Sequence, residues 1–130
     1  MKNIVVLLIV FLVFIIACNK YKKNINTKKI QTSILAEDLK LKIDNNETLH
    51  IIDVRSKDEY YGSIGHIEGS KLIPLQRIAT YIEELKTIDD IIYVVCLSGK
   101  RSAVASKVLR NNGINALNIS GGMLMWNKIK

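Results

Sequence analysis

Cysteine is scarce in this 130-residue chain, which contains two, Cys18 and Cys96. If Cys18 is acylated, Cys96 has no intramolecular partner, which excludes a structural disulfide. The soft or borderline metal donors of the remaining chain are His50, His66 and Cys96, which are too few for a zinc site. We therefore predict no metal and no cofactor, and the thiol of Cys96 needs another explanation.

A surplus of positive charge is missing from most of the chain, although the formal net charge is +7. Six of the 19 basic residues lie between positions 2 and 29, and the remaining 13 are nearly balanced by 12 acidic residues. No nucleic-acid-binding surface is therefore implied. The five lysines of residues 20–29 lie among asparagine and threonine and predict a basic polar tether over residues 19–32. Such a run is typically a solvated linker, and beside an anchor it can instead lie on anionic lipid headgroups.

A long hydrophobic run is found only near the N-terminus, where residues 4–16 are uniformly apolar. The run is shorter than the roughly 20 residues that a membrane-spanning helix needs, and it matches the hydrophobic part of a signal peptide. Residues 15–18, Ile-Ile-Ala-Cys, resemble a bacterial lipobox, in which cleavage before the cysteine leaves that cysteine acylated. We expect a signal peptide with its lipobox over residues 1–18 and a lipid anchor on Cys18, the alternative being an uncleaved membrane anchor. Both place the domain outside the cytoplasm, at the bacterial cell envelope, in the periplasm or on the cell surface.

Beyond the tether, the spacing of apolar residues predicts alternating strands and helices around a long polar loop. The strands are 49–54, 71–74, 91–95 and 116–119, the helices are 36–43, 76–86, 102–111 and 123–129, and the loop is 55–69. Residues 91–95 are apolar at every position, which is typical of a strand buried on both faces of a parallel sheet. The prediction is an α/β domain with a small parallel sheet flanked by helices on both faces.

One segment combines a strand end, a short loop and a helix start, and it begins at Cys96. A thiol at the carboxyl end of a parallel strand lies where such sheets open to ligands. A loop that turns into a helix directs backbone N–H groups at its centre, and Gly99 provides the conformational freedom for such a turn. The charges of Lys100 and Arg101 also lower the pKa of a nearby thiol. The loop therefore predicts a reactive thiolate at Cys96, and the alternative is an inert buried cysteine.

An ordered set of short motifs across residues 33–130 resembles the rhodanese homology domain. The set comprises Asp53-Val54-Arg55, Glu59-Tyr60, Gly65-His66-Ile67-Glu68-Gly69-Ser70, Ile73-Pro74, Cys96-Leu97-Ser98-Gly99-Lys100-Arg101-Ser102 and Gly121-Gly122-Met123 with Trp126. The spacing from Cys96 to Arg101, C-x-x-x-x-R, matches the sulfurtransferase branch of that family.

The resemblance implies a thiosulfate sulfurtransferase-like enzyme in which Cys96 carries sulfur as a persulfide. The sulfur would come from a small anionic donor similar to thiosulfate and pass to a thiol or cyanide acceptor. The residues of the substrate-binding loop would be Leu97, Ser98, Gly99, Lys100, Arg101 and Ser102. Lys100 and Arg101 are the candidates for donor binding.

Three further motif residues are predicted to support the structure. Asp53 and Arg55 are expected to form a charge pair or loop brace at a strand end, and His66 is expected to be a packed or hydrogen-bonded histidine. The family often has about four residues between the motif glutamate and the Gly-His pair, whereas Glu59 to Gly65 spans six. The additional residues are expected to lengthen a loop.

Two other functions remain open on the sequence. A related fold contains phosphatases with the spacing C-x-x-x-x-x-R, but the corresponding position here is Ser102, so the loop is one residue too short for phosphate. The second is a non-catalytic relay module that holds a persulfide for a protein sulfur acceptor.

Overall fold

The N-terminal segment forms one long helix in the computed structural model, which describes residues 2–25 and 30–130. Helix α1 spans Lys2–Ile25, and its segment Asn3–Tyr21 has a mean hydropathy of 2.6 and contains no buried residue. By length and composition α1 can cross a membrane, and a signal sequence has the same properties. Helix α1 continues through residues 19–25 of the predicted tether, which contain no proline or glycine and include lysines, which favour helix. Residues 26–29 of the tether lie outside the described residues.

The second compact unit, Gln31–Lys130, contains a five-stranded sheet. Its strands are β1 (Ser33–Leu35), β2 (His50–Asp53), β3 (Lys71–Leu72), β4 (Ile92–Val95) and β5 (Ala116–Ser120). The strand order is β1-β5-β4-β2-β3, and every neighbouring pair is parallel. The predicted parallel sheet is therefore confirmed.

The helices of this unit are α2 (Ala36–Asp44), α3 (Lys57–Tyr60), α4 (Ile82–Leu85), α5 (Lys100–Asn111) and α6 (Gly122–Ile129). A 3-10 helix, Leu75–Tyr81, leads directly into α4. One apolar core lies between the sheet and α4 and α5, and a second lies between the sheet and α2 and α6. In β4, Ile92 and Val94 face the first core, and Tyr93 and Val95 face the second. This arrangement confirms helices on both faces and explains the unbroken apolar run of β4.

Apart from small differences at strand and helix ends, the structure corrects the sequence prediction at four places. Strand β1 was not predicted, because three residues are too few to show a period. Helix α3 lies inside the predicted long loop, and the 3-10 helix replaces most of the predicted helix 76–86. Helix α5 begins at Lys100 rather than at Ser102, because Gly99 adopts a left-handed conformation with φ 92° and allows the helix to start immediately.

Candidate active site

Cys96 follows the last residue of β4, and its side chain is 1% exposed. The carbonyl of Cys96 accepts a hydrogen bond from Met123 N at 2.8 Å, and the carbonyl of Leu97 accepts one from Leu124 N at 3.0 Å. The first turn of α6 therefore holds the chain at the point where it leaves the sheet. Gly122, in a left-handed conformation with φ 56°, makes this close approach possible.

The sulfur of Cys96 lies among hydrogen-bond donors. Gly99 N donates to Sγ at 3.1 Å, and Ser102 Oγ lies 3.3 Å from Sγ. Burial by itself raises the pKa of the Cys96 thiol, but the Ser102 hydroxyl and the backbone N–H groups of Ser102, Ser98 and Gly99 outweigh it and lower the pKa below its ordinary value. The loop therefore favours a thiolate at Cys96.

The two cations of the loop have different surroundings. Arg101 forms a bidentate pair with Glu59, with distances of 2.8 and 2.6 Å between guanidinium nitrogens and carboxylate oxygens. Hydrogen bonding to Arg101 is the main reason why the pKa of Glu59 falls to about 2, so the pair is ionised throughout the neutral range. Lys100 is exposed, and no carboxylate of the described residues lies within ion-pair distance of it. Lys100 is therefore more available to an anionic donor than Arg101 is.

The position of Glu59 depends on the short helix α3. The Ser56 hydroxyl accepts a hydrogen bond from Glu59 N at 3.2 Å, and the Glu59 carboxylate accepts one from Ser56 N at 3.1 Å. This reciprocal capping box starts α3 and directs the Glu59 carboxylate toward Arg101. The pattern S-x-x-E at residues 56–59 is a signal that sequence reasoning could have used, since it marks a helix start inside the predicted loop.

Asp53 and Arg55 form a fully buried ion pair beside the site. Arg55 donates through Nε and Nη2 to the Asp53 carboxylate, and the shortest of these distances is 2.6 Å. The same guanidinium donates to the carbonyls of Glu59 at 3.2 Å and Gly65 at 2.7 Å. Arg55 therefore connects the end of β2 to both ends of the segment 59–65, which contains the additional residues noted in the sequence.

His66 packs against aromatic rings and makes no hydrogen bond to the Cys96 loop among the described residues. Its ring stacks on Tyr60 at 3.8 Å between centroids, with an interplanar angle of 9°. Its Nδ1 lies 3.1 Å from the Tyr60 carbonyl, and because a carbonyl can only accept, Nδ1 carries the proton. The structure thus places His66 against Tyr60 and not at the sulfur.

A cavity of about 230 Å³ lies beside the Cys96 loop. Its wall contains the residue that follows Cys96 and most of the segment 59–65. The lining residues are Arg55, Asp58, Glu59, Gly62, Ser63, Ile64 and Leu97. The cavity offers a small molecule or a partner side chain a place next to the loop. Ser98, at the tip of the loop, is exposed.

Cys18 was predicted from the sequence and lies outside the compact unit that contains the site, whereas Asn118 was not predicted and lies at the site. Cys18 is exposed on α1, which belongs to the other compact unit. Asn118, in β5, was not singled out from the sequence, although its Oδ1 lies 2.6 Å from Ser102 Oγ. An isolated asparagine in a short strand carries no motif, so only the fold reveals that it reaches the loop.

The fold and the loop agree with comparisons to known proteins. The rhodanese-like domain family matches residues 35–129. The chain is 37% identical over 94 residues to "Putative sulfur carrier protein YrkF" of Bacillus subtilis, covering 72% of this chain and 49%, about half, of that protein. It is 37% identical over 101 residues to "Putative sulfurtransferase YtwF" of the same organism, covering 76% of this chain and 89% of that protein.

A solved structure shows the same architecture. The crystal structure of a rhodanese-like domain protein from Staphylococcus aureus has 36% sequence identity and a TM-score of 0.67, covering 74% of this chain and 91% of that chain. The matched residues 35–129 contain strands β2 to β5, both helical layers and the Cys96 loop. This chain therefore belongs to the rhodanese-like domain family.

Proposed function

We propose that this protein is a sulfurtransferase that moves a sulfane sulfur from a small anionic donor, such as thiosulfate, to a thiol or cyanide acceptor through a persulfide on Cys96. The observation that carries the proposal is the position of the Cys96 sulfur, which receives the Gly99 N–H at 3.1 Å within a loop that lowers the pKa of the thiol. The names of two relatives, "Putative sulfur carrier protein YrkF" and "Putative sulfurtransferase YtwF", support the same class of chemistry.

The transfer divides into two displacements at sulfur. The Cys96 thiolate attacks the outer sulfur of thiosulfate, the sulfur–sulfur bond of the donor breaks, and sulfite leaves with the electron pair. The persulfide that forms is an anion, and the inward backbone N–H groups of the loop stabilise it. Cyanide or a thiolate then attacks the terminal sulfur, and the sulfur–sulfur bond of the persulfide breaks. Thiocyanate or a new persulfide departs, and the Cys96 thiolate is regenerated.

The first test is Cys96→Ser in the full chain, which is expected to abolish the formation of thiocyanate from thiosulfate and cyanide. A serine hydroxyl cannot carry a sulfane sulfur under these conditions, so intact-mass analysis should also show a one-sulfur gain that is lost in the variant. Cys18→Ser is the matched control and should retain both signals, because Cys18 lies on α1, outside the domain.

The two readouts separate the proposal from a relay function. A stable one-sulfur adduct without turnover on any small acceptor would indicate that the protein is not an enzyme but a module that passes sulfur to a protein partner. The name of YrkF suggests such a role for that protein. Absence of both the adduct and turnover would contradict sulfur transfer from this donor. A phosphatase reaction is not proposed, because the loop has four residues between Cys96 and Arg101 and the Arg101 guanidinium is bound to Glu59.

We also propose that acylated Cys18 anchors the domain to the outer side of a bacterial membrane. Helix α1 and the apolar, exposed character of its segment Asn3–Tyr21 support a signal or anchor at this end of the chain. Intact-mass analysis of protein extracted from membranes reads this out: loss of residues 1–17 with an added acyl mass supports the anchor, and an unprocessed chain indicates the uncleaved helix.

Donor binding provides a second test, because Glu59 neutralises one of the two loop cations. Glu59→Gln is expected to lower the KM for thiosulfate about fivefold, which corresponds to about 1 kcal/mol, the upper range for a partly exposed pair. The released Arg101 would then be free to attract the anionic donor. Steady-state kinetics at low salt, where screening is weakest, measure this change.

Two variants control for the change of net charge. Glu47→Gln removes a carboxylate that pairs with Lys42 at 2.9 Å outside the lining of the cavity, and it should leave the KM unchanged. Lys100→Gln removes the available loop cation and should raise the KM. A KM that rises in Glu59→Gln would show instead that the pair with Glu59 holds Arg101 where the donor needs it.

A further inference from the structure

Asn118 is a polar residue in the interior of β5, between Leu117 and Ile119, which belong to the core on the opposite face. Its neighbours in the sheet are Ser33 of β1 and Val94 of β4, so its backbone is held from both sides. Its side chain lies on the face that α5 covers, where Oδ1 is 2.6 Å from Ser102 Oγ. The backbone of Asn118 is therefore fixed within the sheet, and its side chain is separated from the Cys96 sulfur by one other side chain, that of Ser102.

Ser102 lies between this amide and Cys96. Its Oγ is 2.6 Å from Asn118 Oδ1 and 3.3 Å from Cys96 Sγ, and the residue is fully buried. A serine hydroxyl has one proton and two acceptor lone pairs. Ser102 can thus donate to the amide oxygen or to the sulfur, but not to both at once.

The charge on the sulfur decides which arrangement satisfies all groups. A neutral thiol can donate to Ser102 Oγ while the hydroxyl donates to Asn118 Oδ1. A thiolate can only accept, so it needs the hydroxyl proton, and Ser102 Oγ then needs a donor on its other side. The Asn118 amide provides that donor if it turns so that Nδ2 takes the position of Oδ1. In the present orientation none of the described residues accepts a hydrogen bond from Nδ2, so the turn breaks no such bond.

We propose that Asn118 is a positioning residue for Cys96, whose amide donates through Nδ2 to Ser102 Oγ when the sulfur is negatively charged and so directs the single hydroxyl proton of Ser102 onto that sulfur. The proposal rests on the role given to Cys96 above and assigns to Asn118 a function through Ser102. Asparagine suits this task because its amide is an acceptor at one end and a donor at the other, whereas aspartate can only accept.

The ionisable groups around the sulfur are few among the described residues. Helix α5 contributes Lys100 and Arg101, and α3 contributes Glu59, which is bound to Arg101. The end of β2 contributes the Asp53–Arg55 pair, which is internally neutralised. Substitutions at Asn118 leave these groups unchanged. A change in the pKa of Cys96 in such a variant is therefore caused by altered hydrogen bonds or by a newly added charge.

The test measures the pH dependence of Cys96 alkylation by iodoacetamide in the full chain, kept in detergent and carrying Cys18→Ser so that one thiol remains. Ser102→Ala is expected to raise the pKa of Cys96 by about one unit, the effect of losing one hydrogen bond to a charged group. Asn118→Asp is expected to raise it at least as much, because the carboxylate retains the hydroxyl proton of Ser102. In the double variant Ser102→Ala/Asn118→Asp, the rise in the pKa of Cys96 should be smaller than the sum of the two single rises, because each substitution removes the same hydrogen bond.

Additive shifts would show that aspartate acts by its charge alone and would overturn the proposal. Asn118→Ala removes the contact with Ser102 but does not hold back the hydroxyl proton. A rise in the pKa of Cys96 as large as that in Asn118→Asp would therefore also overturn the proposal. Alkylation needs no sulfur donor, and a failure here is therefore distinct from a failure of sulfur transfer.

A second measurement needs no change at Asn118. The NMR signals of its side-chain amide should move with pH at the same midpoint as Cys96 ionisation, and this movement should disappear in Ser102→Ala. Signals that stay constant in the Cys18→Ser chain while Cys96 titrates would contradict the turning of the amide.

Discussion

Replacing Gly122 by alanine is expected to destabilise the folded domain by about 3 kcal/mol and to slow sulfur transfer about 100-fold. Gly122 has φ 56°, which costs an L residue about 1–2 kcal/mol. An added Cβ would lie 2.3 Å from the Cys96 carbonyl oxygen and 2.7 Å from that of Leu97. Both contacts are with backbone, so the start of α6 must move away from the carbonyls that it holds. Urea unfolding and thiocyanate formation measure the two effects.

Gly113→Ala is the matched control for this prediction. Gly113 also has a positive φ, 82°, but an added Cβ there meets no atom within 4 Å. The control should therefore show the conformational cost alone, about 1–2 kcal/mol, with normal activity per folded molecule. Equal behaviour of the two variants would mean that the contact between α6 and the Cys96 carbonyl adjusts freely, and that it does not fix the sulfur.

Replacing Arg55 by leucine is expected to destabilise the domain by about 3–5 kcal/mol, because it leaves the buried Asp53 carboxylate without a cation. Both side chains are fully buried, so water cannot compensate the charge. The loss also frees the carbonyls of Glu59 and Gly65, which Arg55 holds at 3.2 and 2.7 Å. The segment 59–65 should then become susceptible to proteolysis, which limited digestion followed by mass analysis would locate.

A double variant separates the two contributions of Arg55. Asp53→Asn together with Arg55→Leu removes the unpaired charge, and it should recover part of the lost free energy of unfolding. The proteolytic sensitivity of 59–65 should persist, because the two carbonyls still lack their donor. If the double variant is no more stable than Arg55→Leu, the buried charge is not the source of the destabilisation.

The sequence was sufficient for the layers of the domain and for its family, because the signals for both are local. Residues 91–95 are apolar at every position, and the last four of them form β4, which is buried on both faces as expected. The motifs that resemble a rhodanese domain were confirmed by the family match over residues 35–129. The role of Cys96 and its loop remains a prediction, although the structure places donors around the sulfur in the way that the loop composition suggested.

The contacts that modify the loop could not be predicted, because they join residues that are distant in the chain. Arg101 and Glu59 are 42 residues apart, and their pairing depends on how α3 is oriented after β2. The hydrogen bond between Ser102 and Asn118 depends on β5 lying next to β4 in the strand order. The sequence predicts Lys100 and Arg101 as donor-binding cations, which remains a prediction, but it does not reveal that Arg101 is already bound to the Glu59 carboxylate.

The outer strands of the sheet, β1 and β3, are three and two residues long. A strand at a sheet edge exposes unpaired N–H and C=O groups that can bind another chain, and this risk grows with its length. Here each edge offers too few such groups to continue the sheet into a neighbouring molecule, and β3 also carries the exposed Lys71, whose charge opposes such contacts. Many copies of this domain can therefore be held close together without aggregating through their sheets.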